Sequence, residues 1–371
     1  MNIGIPREIL IEERRVALSP SAVHSLVSAG HKVYIEREAG LDSRFTDLAY
    51  QKVGGEIVFS HEEAFKRADM VIKVMPPTEE ECQMLREEQI VFSFLQLGMR
   101  TSATMKTLIS NKVTCVGTEL IETQPGHKPI LVAMSEIAGG ILPQIAGRYL
   151  ECQYGGRGIL LGGVPGIPPA TVVILGAGVV GLNATRTFLG LGAQVIVLDK
   201  NLERLRLIEQ LYQKRAVTSL STPYAIERSL QFADVLIGAV FTPGERPPIL
   251  VTKELLKEMK KRALVIDVSI DQGGCMESSR PTTHSDPVFI EEEIIHYCVP
   301  NIPSAVSRTA SYALSNVVLP YALEVADSGM KKALSSNPAL RKGTFLYKGE
   351  CTHPGVCRLF DLKYRDLEKM S

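Results

Sequence analysis

Apolar and polar positions in the first 120 or so residues alternate between strand spacing and helix spacing. Short apolar runs at NIGI, KVYIE, MVIKV, IVFSF and VTCV predict strands, and the intervening segments predict helices, one of them over residues 78 to 87. Ser19 followed by Pro20 marks a helix start, because serine favours the N-cap and proline favours the first helical position. Strands that alternate with helices predict a parallel sheet covered by helices.

A second region of the same kind begins at residue 171, after a Gly- and Pro-rich segment that predicts a loop over 155 to 170. Further candidate strands lie at 234 to 240, 263 to 269 and 294 to 299. Apolar residues after Pro300 fall at helical spacing across Pro320, so a helix there can return to the first domain. The pattern predicts an α/β protein of two doubly wound domains. The second domain, 131–305, is inserted into a discontinuous first domain, 1–130 plus 306–371.

The second domain opens with the segment TVVILGAGVVGLNATRTFLGLGAQVIVLDK, a strand, a glycine-rich turn, a helix and a strand that ends on an acid. Gly176 allows the tight turn, Gly178 lets the backbone approach a pyrophosphate, and Gly181 lets the helix pack closely on the strand. Asp199 is placed to accept hydrogen bonds from adenosine ribose hydroxyls and to repel a ribose phosphate. We therefore predict a Rossmann domain that binds NAD in preference to NADP.

The composition is that of an ordinary globular chain, with 371 residues, 45% of them hydrophobic. The 41 basic and 41 acidic residues cancel without long runs of either sign, so we expect no nucleic-acid partner and no membrane partner. A small molecule is the expected partner. Because no long uninterrupted apolar stretch and no signal-peptide pattern is seen, the predicted location is the cytoplasm.

Seven cysteines without a framework spacing predict reduced thiols in a reducing compartment. Cys351, His353 and Cys357 form one cluster that offers either a disulfide or a partial metal site. Their spacing matches no common zinc pattern, which favours an incidental cluster in a loose C-terminal tail. The sequence supports no metal site.

The motifs EERRVALSP, MSEIAG, GGRGILLGGVPG, IDQGGCMESSRPTTHSDP and SYAL, with the glycine fingerprint, resemble the alanine dehydrogenase family. That family shares its architecture with the alpha subunit of nicotinamide nucleotide transhydrogenase, but IDQGG and SRPTT favour the dehydrogenase. The resemblance implies reversible oxidative deamination of L-alanine by NAD to pyruvate, ammonium and NADH. It also implies a homo-oligomer, usually a hexamer.

The same resemblance implies roles for single residues. Arg15 matches the arginine that binds the substrate carboxylate, a task suited to a planar guanidinium. Asp271 matches the acid beside nicotinamide and substrate, and ligands do bind at the carboxyl ends of strands in open α/β sheets. The matches to cofactor contacts, besides the three glycines and Asp199, are Ser135, Val180, Arg204, Val240, Arg280 and Asn301.

Two positions depart from the family pattern. The family motif Lys-x-Lys-x-Pro appears here as VIKVMPP, which keeps Lys73 but has Met75 where the second lysine binds substrate. The family's proton-donating histidine is replaced by Gln96, which can hydrogen-bond a substrate but does not titrate near neutral pH. Lys73 lies about 6.6 Å from Met75 along the same face of the strand and is a candidate substitute for the missing lysine.

Three functions therefore stay open from the sequence. One is an alanine dehydrogenase with rearranged catalytic groups, in which Asp271 is the obvious titratable group. Another is a related dehydrogenase of a different amino or oxo acid, with a more apolar pocket at Met75. The third is a protein that binds NAD(H) without turnover, against which the retained Arg15 argues.

Overall fold

The computed structural model describes residues 1–96, 101–242 and 246–367, and the chain divides into two compact units. Unit 1 comprises Met1–Met134 and Val306–Ser371, and unit 2 comprises Ser135–Ala305. The helix α6 (Pro129–Leu150) contains the first division.

Unit 1 contains an eight-stranded sheet with the order β15-β14-β6-β5-β4-β1-β2-β3. Its strands are β1 (Asn2–Ile5), β2 (Lys32–Glu36), β3 (Glu56–Val58), β4 (Met70–Ile72), β5 (Ile90–Ser93), β6 (Thr114–Gly117), β14 (Thr344–Tyr347) and β15 (Glu350–Cys351). Its helices are α1 (Pro20–Ser28), α2 (Asp47–Gln51), α3 (His61–Lys66), α4 (Glu79–Met84), α5 (Ser102–Ser110), α11 (Ser307–Ser328), α12 (Met330–Ser336), α13 (Pro338–Gly343) and α14 (Pro354–Leu359). The predicted start of α1 is confirmed, because the Ser19 side chain accepts a hydrogen bond from the Ala22 amide.

The C-terminal segment of unit 1 differs from the prediction. Strand β14 pairs antiparallel with both β6 and β15, so the sheet is mixed rather than wholly parallel. Cys351 and Cys357 are buried in the core beside β6 and form a disulfide, with their Cα atoms 6.1 Å apart. His353 caps α14 through its ring nitrogen. The expectation of an incidental cluster in a loose tail was therefore wrong, and of the alternatives left open for these residues the structure has the disulfide.

Unit 2 contains a seven-stranded sheet with the order β12-β13-β11-β10-β7-β8-β9. Its strands are β7 (Thr171–Leu175), β8 (Gln194–Asp199), β9 (Val217–Leu220), β10 (Val235–Gly238), β11 (Leu264–Asp267), β12 (Val288–Glu291) and β13 (Ile294–Tyr297). The helices α7 (Val179–Gly190), α8 (Leu202–Tyr212), α9 (Pro223–Leu230) and α10 (Lys253–Leu256) complete it. All pairings are parallel except that of β12 with β13. The predicted α/β class with a Rossmann-like sheet is thus confirmed.

Among the described helices, α6 is long and apolar enough to cross a bilayer by length and composition. Its most apolar window has a mean hydropathy of 1.5, and 56% of that window is buried in the protein. Glu136 and Arg148 interrupt the apolar sequence. A mostly buried helix of this composition is typical of a protein core.

Each sheet has one point at which the chain order reverses. In unit 1 it lies between β1 and β4, and in unit 2 between β7 and β10. Ligands of open α/β sheets bind at the carboxyl ends of the strands beside such a switch point. The residues that follow these four strands are therefore the first candidates for a site.

Candidate functional site

At the switch point of unit 2, the backbone after β7 approaches the backbone after β10. Gly176 has a φ of 108°, and a Cβ there would lie 2.4 Å from the Ala239 carbonyl oxygen. A Cβ at Gly181 would lie 1.9 Å from the Gly176 carbonyl oxygen. Both positions therefore require glycine. At Gly176 the reasons are the positive φ and the close contact, and at Gly181 the reason is the close contact alone.

Helix α7 begins immediately after this turn with an open N-terminus. Gly178 is its N-cap residue, and the nearest heavy atom to a Cβ there would be Arg204 Nη1, at 4.0 Å. Val180 lies in the first turn of the helix. Unpaired amides and the positive end of the helix dipole bind anions, so this turn suits a pyrophosphate.

Asp199 ends β8 beside the same turn. It is 6% exposed, and its two carboxylate oxygens accept hydrogen bonds from the Ala177 and Asn201 amides, each at 2.7 Å. The exposed Arg204 guanidinium lies 3.8 Å from the carboxylate. These bonds fix the carboxylate at the end of the strand, where the sequence predicts the contact with ribose.

Asp271 does not lie directly at a strand end, because β11 stops at Asp267 and a 3-10 helix, Val268–Gln272, follows. The buried Asp267 carboxylate accepts hydrogen bonds from the Ser269 amide at 3.0 Å, the Cys275 amide at 3.0 Å and the Ser279 hydroxyl at 2.6 Å. Burial raises the pKa of Asp267, and these hydrogen bonds oppose the rise. Asp267 thus holds both ends of the loop that carries Asp271.

The structure brings Asp271 together with Asn301. The Asn301 amide donates to the Asp271 carboxylate at 3.1 Å, and Asn301 has a φ of 55°. Val240, two residues after the end of β10, forms two hydrogen bonds with the Ser269 hydroxyl. Other predicted cofactor contacts lie elsewhere in unit 2: Arg280 stacks on the Phe289 ring at 4.1 Å, and Ser135 is half-buried in α6.

In unit 1, Arg15 is 4% exposed and is held in place by Glu13. Its Nε donates to one Glu13 oxygen at 2.8 Å and its Nη2 to the other at 2.6 Å. Its Nη1 contacts the Met134 sulfur at 3.4 Å, and the guanidinium lies over the Phe94 ring at 5.8 Å. One edge of the guanidinium is thus fixed by Glu13, which presets its orientation for a second carboxylate.

Lys73 follows β4 and forms a buried ion pair. Its buried ammonium lies 2.5 Å from Glu81 on α4. Glu81 also pairs with His61 at 3.0 Å, and His61 pairs with Glu36 at 2.6 Å. Burial opposes the charge on Glu81, but the bonds from His61 and Lys73 lower its pKa to about 2. Burial likewise opposes the charge on His61, but the bond with Glu36 and that with Glu81 raise its pKa to about 9. The ammonium of Lys73 is thus already bound by Glu81, which argues against the hypothesis that Lys73 substitutes for a lysine at 75.

Met75 and Gln96, the two positions at which the sequence is expected to depart from the family pattern, contact each other. The Gln96 side-chain amide approaches the Met75 sulfur at 3.5 Å. Gln96 has a φ of 40°, and its backbone amide donates to the Glu119 carboxylate at 2.9 Å. Glu8 lies on the other side of Met75 and accepts hydrogen bonds from the Val74 amide at 2.5 Å and the Met75 amide at 3.3 Å.

Sequence reasoning missed the acidic residues that support this site. Glu8 lies in the N-terminal segment IPRE and Glu13 in the motif EERRVALSP, but neither was assigned a role; Glu81, Glu119 and Asp267 were also overlooked. A short motif that combines acidic and basic residues after a strand was the available signal. Glu8 and Glu119 accept hydrogen bonds from amides 66 and 23 residues away in sequence, so these two pairings were not readable from local patterns.

Comparison with known proteins places the chain in a family along almost its whole length. Residues 4–138 match the model described as alanine dehydrogenase/PNT, N-terminal domain, and residues 143–354 match that described as alanine dehydrogenase/PNT, C-terminal domain. An alanine dehydrogenase of Methanococcus maripaludis is 44% identical over 370 residues, which cover 100% of this chain and 99% of that protein. One of Staphylococcus haemolyticus is 43% identical over 369 residues, 99% of this chain and 98% of that protein.

Solved structures agree with these matches. An L-alanine dehydrogenase structure has a TM-score of 0.93 and 42% identity, and the match covers 97% of this chain and 99% of that one. A transhydrogenase from Sinorhizobium meliloti has a TM-score of 0.82 at 23% identity over 95% of this chain and 99% of that one, which shows a shared fold.

Proposed function

The chain belongs to the alanine dehydrogenase/PNT family, and we propose on that premise that it interconverts L-alanine and pyruvate with NAD as its cofactor. The full-length similarity to alanine dehydrogenases carries this proposal. The chain is accordingly an NAD-dependent amino-acid dehydrogenase. NAD, when bound, accepts hydride from the amino acid or, as NADH, returns it.

We assign the binding of NAD to unit 2. The amides that open α7 after Gly178 face the pyrophosphate, and Asp199 binds the adenosine ribose. The free space beside Gly178 supports this fit, because the heavy atom nearest to a Cβ built there is Arg204 Nη1, at 4.0 Å. A phosphate can therefore approach the backbone without a steric clash. Ser135, Val180, Arg204, Val240, Arg280 and Asn301 are proposed to make further contacts with the cofactor.

We assign the binding of the substrate carboxylate to Arg15 in unit 1. Its guanidinium is already oriented by Glu13, so little conformational entropy is lost when a second carboxylate binds. Met75 and Gln96 are proposed to contact the rest of the substrate, with Gln96 as a hydrogen-bonding group. Asp271, which is exposed, is proposed to act beside the reacting carbon as the acid or base of the reaction.

Two further parts of the proposal concern the assembled protein in the cell. We propose a homo-oligomer, a hexamer as the family resemblance implies, located in the cytoplasm. The buried and mostly apolar α6 fits a protein that does not require a membrane. Sedimentation velocity on the purified chain would test the number of subunits.

The function is tested by following NADH absorbance with purified protein. L-alanine with NAD should produce NADH, and pyruvate with ammonium should consume it. NADH binding is measured first, by fluorescence, to distinguish a folded but inactive enzyme from a protein that does not bind the cofactor. Binding without turnover of alanine or pyruvate would contradict the proposal, and a panel of larger amino and oxo acids would then identify another substrate.

A further inference from the structure

Glu8 occupies the switch point of unit 1. It lies three residues after β1, and its carboxyl group accepts hydrogen bonds from the amides of Val74 and Met75, which follow β4. The side chain is 4% exposed. Glu8 therefore joins the two strand ends between which a ligand of this sheet is expected to bind.

Glu8 belongs to a buried cluster in which the other carboxylates have close cationic partners. Glu13 lies 2.6 Å from Arg15, Glu81 lies 2.5 Å from Lys73, and the third pair, Glu36 with His61, is separated by 2.6 Å. Within the part of the chain that the structure describes, the cation nearest to Glu8 is Lys73, at 3.8 Å, and that ammonium already binds Glu81. The cluster thus contains four carboxyl groups and three cationic side chains, and Glu8 is the carboxyl group whose nearest cation is bound to another carboxylate.

Burial without a close cation favours the neutral form of a carboxyl group. The charged groups that act on Glu8 are Lys73 at the end of β4, Glu13 after β1, and Glu81 on α4. Burial raises the pKa of Glu8 to about 7; Lys73 and the hydrogen bond from the Val74 amide oppose this rise, and Glu13 and Glu81 add to it. Glu8 therefore changes its charge in the neutral range, where Gln96 cannot.

We propose that Glu8 is a positioning residue of the substrate site that is neutral when the site accepts an anionic substrate and weakens that binding when it ionises. The inference rests on the proposed function, since it takes an amino or oxo acid as the ligand of Arg15. Through the Val74 and Met75 amides, Glu8 fixes the segment that contacts Gln96. Its negative charge, added beside Glu13, repels a second carboxylate at Arg15.

The test is the pH dependence of pyruvate binding to the NADH complex, measured by NADH fluorescence without ammonium so that no turnover occurs. The dissociation constant of the unaltered protein should rise about tenfold between pH 6 and pH 8.5. Glu8→Gln keeps an acceptor for the Val74 amide but does not ionise, so its dissociation constant should change much less with pH. Glu62→Gln, at an exposed glutamate of α3, is the matched control and should keep the full rise.

A second readout does not depend on the substrate. Glu8 has a folded-state pKa above its usual value of 4.5, so its stabilising effect is present below pH 4.5 and is lost as the pH rises through about 7. The unaltered protein should therefore lose stability relative to Glu8→Gln as the pH rises from 4.5 to about 7.

The two readouts separate the possible failures. If pyruvate does not bind at any pH but the stability difference follows this course, the proposed function fails and the assignment of Glu8 as the titrating group holds. If pyruvate binds and its pH dependence is the same in Glu8→Gln as in the unaltered protein, the inference about Glu8 is overturned. A stability difference that does not vary with pH would also overturn it.

Discussion

The switch points of the two sheets are built from different parts of the chain. In unit 2, glycines bring backbone close to backbone, and the open end of α7 offers amides to an anion. In unit 1, buried charged side chains from several segments pair with one another around Arg15 and Met75. One site depends on the absence of side chains at fixed positions and the other depends on which side chains meet.

This difference bears on how each site tolerates change. A backbone site fails when a Cβ is added, because the clash is with atoms that cannot rotate away. A side-chain site fails when one partner of a buried ion pair is removed, because the remaining charge stays buried. Both failures can be produced by single substitutions that have matched controls in the same unit.

The largest effect is expected for Lys73→Met in unit 1. Removal of the ammonium leaves Glu81 buried without its closest cation, so the free energy of unfolding should fall by about 3–5 kcal/mol. Urea denaturation measures the loss. Lys66→Met, at an exposed pair with Glu62, should cost less than about 1 kcal/mol. Unchanged stability with a large loss of pyruvate affinity would restore a substrate-binding role for Lys73.

Gly181→Ala should break the site of unit 2. The added Cβ would lie 1.9 Å from the Gly176 carbonyl oxygen, so the glycine turn must shift. We expect the dissociation constant for NADH to rise about a hundredfold, which corresponds to roughly 3 kcal/mol. Gly190→Ala in the same helix has no heavy atom within 4 Å of its Cβ and should leave NADH binding unchanged. Equal effects of the two variants would remove the steric explanation.

Arg15→Lys should weaken the binding of substrate, which we assign to unit 1, and leave the binding of NADH, which we assign to unit 2, unchanged. Lysine keeps the charge but cannot bind Glu13 and a substrate carboxylate through one planar group. The KM for pyruvate should rise between about ten- and a hundredfold, and NADH affinity should stay the same. Arg14→Lys, an exposed neighbour, is the control. Loss of NADH binding in Arg15→Lys would show that this residue supports more than the substrate.

Gln96→His is expected to have the smallest effect. Gln96 has a φ of 40°, and histidine is among the residue types that adopt positive φ most readily, so the backbone should accept the change. A titratable group beside Met75 should raise kcat about tenfold near neutral pH. A kcat that stays constant or falls would show that the existing groups already supply the proton transfers.

The glycine fingerprint and the alternating pattern were sufficient to predict the Rossmann sheet, because each depends on residues near one another in sequence. Gly176, Gly178, Gly181 and Asp199 lie on the elements predicted for them. The C-terminal segment was misjudged for the opposite reason. Its strand β14 pairs with β6, more than two hundred residues earlier, and local patterns hold no information about that pairing.

The sequence by itself thus determined the fold class, the dinucleotide turn and the identity of Arg15 and Asp271 as candidates. Only the tertiary structure decided that Glu13 orients Arg15, and that Lys73, the cation nearest to Glu8 among the described residues, is bound to Glu81. The physical reason is that a glycine's freedom belongs to its own backbone. The charge state of a buried carboxyl group, in contrast, depends on partners and burial that the folded chain alone supplies.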